Sequence, residues 1–118
     1  MSVTWTATGG SLDRTDSLRT YLAEKPDDRF ARYALALELK REGDLHAAEA
    51  ELRQLLSLHP TSGPGWLQLG NVLVEQRREA DAASAWRDGI KALDGLKTAD
   101  ATKSRAEITA ALATVDET

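Results

Sequence analysis

Apolar residues recur along this chain every three to four positions, the spacing of helices that each bury one face. Leu18, Tyr21 and Leu22 share a face in a first segment that predicts a helix from Ser11 to Glu24, with Ser11 as its cap. Pro26 ends it, because the residue before a proline avoids the helical region. A second segment opens at Asp27-Asp28 and carries Phe30, Tyr33, Ala34, Leu35, Leu37 and Leu39. These cover most of the circumference, so two faces of this helix are expected to meet protein or ligand. Gly43 stops it where a left-handed residue is wanted. Asp44 then caps a third helix, over 45–58, with Ala48, Leu52, Leu55 and Leu56 in a stripe. After His59-Pro60 and a turn over 61–65, a fourth helix spans Pro64 to Gln76, with Trp66, Leu67, Leu69, Val72, Leu73 and Val74. A break at 76–78 precedes a fifth, Glu79 to Leu93, marked by Ala82, Ala83, Trp86 and Ile90. Asp94-Gly95 stops that one. A last helix, Thr98 to Val115, sets Ala101, Ile108, Ala111, Leu112 and Val115 on one side. Residues 1–10 show no period and read as an irregular arm, where Trp5 packs back onto a helix or stands exposed.

Composition narrows the function classes. At 118 residues the chain is of one-domain size. Aromatics are sparse, so Leu and Ala build the core, and abundant Glu, Arg and Lys favour helix over strand. There is no cysteine. That excludes disulfides, Cys-based zinc sites and thiol nucleophiles, and it suits a reducing compartment. A net charge of -4 argues against nucleic acid as the main partner. No apolar run reaches membrane-spanning length. Met1 to Thr6 lacks a basic start followed by an apolar stretch, so the expected location is the cytoplasm.

The helices repeat. Pro26 and Pro60 stand 34 residues apart. The same offset pairs Leu35 with Leu69, Leu39 with Leu73, Ala48 with Ala82, Leu52 with Trp86, and Leu56 with Ile90. Trp66, Leu69-Gly70, Ala82 and Trp86 in the second unit, and Leu35, Ala48 and Pro60 in the first, resemble the signature of the tetratricopeptide repeat family, small bacterial-type proteins included. The second unit departs from it at Leu73 and Asp94, and the first at Arg32, Ala36 and Leu52. Ala36, Gly70, Ala48 and Ala82 keep the small residues that close helix crossings need, while Leu52 and Trp86 fill space between units. The resemblance implies an all-α fold, a right-handed α-solenoid of antiparallel helix pairs with about six helices. Its divisions would be an arm over 1–10 and one helical domain over 11–118. Within that domain lie a flanking helix at 11–25, repeats at 27–60 and 61–94, and a capping helix at 97–116. That last helix reads as the first half of a further unit, displaced by about one residue.

The resemblance also implies a site. In this family the first helices of successive units line a concave groove. Here that assigns Phe30, Tyr33, Leu37, Lys40 and Arg41 from the first unit, and Leu67, Asn71, Val74 and Glu75 from the second. Large apolar residues beside a long cation suit an extended peptide or amphipathic helix of a partner protein. At Tyr33, Leu37 and Leu67 the competing assignment is packing against the flanking helices. The Lys and paired Asn of a chaperone carboxylate clamp are met only by Asn71. The alternative function is self-assembly, a homodimer through an exposed repeat face. Catalysis has no candidate set. His46 and His59 are the only histidines, and Asp44 beside His46 reads as a cap next to a surface side chain. Gly9-Gly10-Ser11 reads as a joint rather than a phosphate loop. No metal or other cofactor is expected. Lys40-Arg41 and Arg77-Arg78 are a solvated face or, more sharply, a contact for an acidic segment.

Overall fold

The computed structural model describes residues 10–115, with side chains from Arg14 onward. Six helices follow one another: α1 (Gly10–Glu24), α2 (Arg29–Arg41), α3 (Leu45–Leu58), α4 (Gly63–Glu75), α5 (Glu79–Ala92) and α6 (Ala99–Val115). The expectations for Trp5 and the Gly9-Gly10-Ser11 joint fall outside the described side chains. α1 starts one residue ahead of Ser11, which therefore lies inside its first turn.

Local chemistry sets the helix ends. The Asp28 carboxylate accepts from the backbone N–H groups of Phe30 and Ala31. Asp44 accepts from Ala47 N–H, and Ser62 from Gly65 N–H. Each satisfies donors that a helix start leaves open. Gly43 holds φ +86°, and its repeat equivalent Arg77 holds φ +63°. The second unit thus places a long side chain where the first uses glycine, at a cost of about 1 kcal/mol of backbone strain.

The helices stack in chain order. α2 packs on α3 and α4 on α5 as pairs, α3 joins the pairs through α4, and α1 and α6 close the two ends. Leu35, Leu39, Ala48, Leu52, Leu55, Leu69, Val72, Leu73, Ala82 and Trp86 are buried along the seam, and Ile108 of α6 is fully buried. This is an all-α solenoid of helix pairs. A Cβ on Gly70 would lie 2.0 Å from the Trp86 ring, whose Nε1 donates to the Leu67 carbonyl. That contact lies inside the α4–α5 pair, where the repeat pattern alone puts Trp86 between pairs. Gly63 meets Ser104 of α6, and its Cβ would come 2.1 Å from the Ser104 hydroxyl. The two residues are 41 apart in sequence, whereas Lys40 meets Gln68 and Glu75, 28 and 35 residues on.

Candidate functional site

The first helix of each pair turns one face away from the core. On α2 that face carries Tyr33, Leu37 and Lys40, at the spacing that stacks side chains on one side of a helix. On α4 the repeat equivalents are Leu67, Asn71 and Val74. Lys40 spans the two helices: its Nζ donates to Gln68 Oε1 at 3.2 Å and lies 3.6 Å from Glu75 Oε2. Tyr33 reaches the same amide. Burial raises the Tyr33 phenol above its ordinary value, a hydrogen bond with Gln68 opposes that, and the Glu107 carboxylate of α6 adds to it. Tyr33, Lys40, Gln68, Glu75 and Glu107 thus converge on one surface.

The nine residues assigned from the repeat divide by environment. Leu67 and Val74 pack against the buried core, as does Tyr33 in part. Leu37 is half-buried but, among the described residues, does not pack against that core. Asn71, one repeat later, is half-buried too, and its amide makes no hydrogen bond among the described residues. Arg41 is exposed and pairs with Glu38, which also binds Arg14. The Arg41 hydrogen bond is the main reason the Glu38 carboxyl is held below its usual range. Phe30 is 75% exposed and lines a depression between α1 and α2 rather than the α2–α4 face.

Sequence reasoning missed Gln68 and Glu107. Gln68 is the repeat equivalent of Ala34, so no shared chemistry flagged it. Glu107 comes to Tyr33 from α6, across a distance in sequence that no repeat position flags. A second missed cluster lies between α3 and the α4–α5 turn. Glu49 accepts from Arg78 Nη1 at 2.7 Å, Arg53 Nε at 2.9 Å and Gln76 Nε2 at 3.0 Å. Burial would raise its carboxyl, but these three hydrogen bonds outweigh burial and hold it below the ordinary value. The same positions one repeat earlier are Thr15 and Glu42, whose side chains bond at 3.1 Å. Of the four clustered cations, Lys40, Arg41 and Arg78 are all held in ion pairs within the chain. Asp44 caps its helix, His46 is exposed, and His59 Nε2 lies 2.8 Å from the Asp27 carbonyl, tying the end of α3 to the turn before α2.

A family model described as tetratricopeptide repeat matches residues 29–72, from the start of α2 into the last turn of α4. Over that stretch the chain matches the tetratricopeptide repeat, and the six described helices form the kind of solenoid that such repeats build. Comparison with curated proteins gives no match. Repeats of this kind are generally protein-interaction elements rather than catalysts. No helix among the described residues is long and apolar enough to cross a membrane.

Proposed function

We propose that this protein is a non-catalytic interaction module that holds a segment of a partner protein on the α2–α4 face. The observation that carries the reading is the pair Leu37 and Asn71. They occupy the same position in successive repeats, and both are half-buried. Yet Leu37 does not pack on the core and Asn71 makes no hydrogen bond, among the described residues. Among the described residues only Arg32 Nε is buried without a hydrogen bond, so the Asn71 amide stays open to water and is able to donate to and accept from a segment laid on this face. Leu37 offers apolar area beside it, and the Tyr33–Gln68–Lys40–Glu75 network holds the surrounding wall in place. An extended peptide or an amphipathic helix suits a strip of that chemistry. No cofactor enters this reading, nucleic acid is disfavoured by the acidic charge, and the cytoplasm is the proposed location.

The test uses the Leu37→Ala, Asn71→Ala double variant, since neither side chain supports the core. The full chain serves as bait to recover a partner, and the purified partner is titrated into wild type and variant by calorimetry. The expected result is a loss of at least about tenfold in affinity, or about 1.4 kcal/mol, with unchanged helical circular dichroism. Equal affinity in the two proteins would remove the face from the reading.

A further inference from the structure

On the far side of α2 lies an open depression of about 510 Å³ between α1 and α2. Leu18, Ala31 and Ala34 form its middle, with Tyr21 and Phe30 at one end. Its repeat equivalent in the next unit is not open. Leu18 and Tyr21 of α1 correspond to Leu52 and Leu55 of α3, and both leucines are 1% exposed where α2 and α4 pack over them. Tyr21 is 43% exposed and Phe30 75%. In the next unit, then, the equivalent face lies under helix, while over α1 none of the described helices but α2 packs on it.

We infer that the cover is a second copy of this chain, packed across the α1–α2 face about a two-fold axis. The reason is that the face complements itself. Its two charged lining residues carry opposite signs and sit at opposite ends. Asp28 caps the start of α2, while Arg14 reaches Glu38 near the end of α2. Those ends are about 15 Å apart along the helix. A two-fold axis through the middle of the depression, between Ala31 and Ala34, inverts one copy on the other. Asp28 of each copy then approaches Arg14 of its partner, giving two equivalent charge pairs. The same operation sets each Phe30 ring over the partner's Ala34, where a small side chain leaves room. One protruding aromatic, two small residues and two opposed charges make one patch serve as both knob and socket, as an isologous interface requires. The groove reading uses the other edge of α2, so the two proposals stand or fall separately.

Sedimentation equilibrium of the full chain, from about 1 µM to about 200 µM to include weak, small interfaces, is the measurement. Wild type should move from the 12.8 kDa monomer toward twice that mass. Phe30→Glu should weaken association at least about thirtyfold, the loss typical of a central aromatic anchor. Its fold should survive, because Phe30 is exposed and an acidic residue in a first helical turn is favourable. The Leu37→Ala, Asn71→Ala variant should dimerise like wild type. A mass that stays monomeric throughout overturns the proposal and leaves the face to a different helix. Dimers unaffected by Phe30→Glu overturn it as well, by placing the interface elsewhere.

Discussion

Gly70 shows how much a single position decides in this fold. The α4–α5 crossing is close because Gly70 has no side chain, and the Trp86 ring occupies the space a Cβ would need. The indole is 2% exposed and hydrogen-bonded to the Leu67 carbonyl, so it has no free direction in which to retreat. Gly70→Ala is therefore expected to destabilise by about 1–3 kcal/mol, the usual range for overpacking a filled core. The midpoint of urea unfolding would show it, and a change within about 0.5 kcal/mol would mean that the ring can shift freely. The Leu69-Gly70 and Trp86 pattern was legible in the sequence as part of the repeat. The reason for it was not, since only coordinates show that the two residues touch each other.

Between elements, the recurring device is a polar side chain on a second helix that grips the turn of the next unit. In one unit Glu49 holds Gln76 and Arg78; in the preceding one Thr15 meets Glu42. The Glu49 carboxyl lies below its ordinary value in the folded protein. Glu38 is lowered by Arg41 and Arg14, and Asp28 by the backbone of Ala31 and by Tyr21. For groups lowered on folding, the unfolded chain binds more protons at acid pH. Their stabilisation is complete above the unfolded value, about 4 for carboxylates, and fades as pH falls through the folded value. Thermal melts should thus be nearly flat from pH 7 to about 5 and decline below that. Glu49→Gln should cost about 1–2 kcal/mol at pH 7, a modest figure because Arg53 and Arg78 are partly exposed. It should also lessen the acid decline. A variant with the full wild-type acid slope would show that Glu49 adds nothing to it. None of this network stands out in the sequence, where Glu49 is one charge among many on a helix whose stripe is apolar.

Across the whole molecule, each helix packs chiefly on its neighbours in the stack, so stability is distributed along a line. α2, α3, α4 and α5 have packed elements on both sides. α1 packs mainly on α2, and its outer face is the open depression. Hydrogen exchange at concentrations below any self-association should therefore protect α2 to α5 most and α1 least among the described helices. Uniform protection across all six helices would instead indicate a single cooperative unit.

Helix positions, caps and pairing were present in the sequence. They rest on local chemistry: the 3.6-residue period, Asp28 and Asp44 at helix starts, Gly43 at a left-handed turn, and a 34-residue offset that repeats the same core residues. The proposed partner face was legible only as positions inherited from the repeat, and tertiary structure sorted them. It set Leu67 and Val74 against the core, left Leu37 off that core and Asn71 without a hydrogen bond among the described residues, and moved Phe30 to the other edge of α2. Gln68 and Glu107 joined the site through distances between helices, which no periodicity encodes. The meeting of Gly63 with Ser104 of α6 belongs to the same class. A helix can be read from its own residues because its hydrogen bonds are local. The arrangement of one helix against another depends on side chains far apart in the chain, and packing alone brings them together.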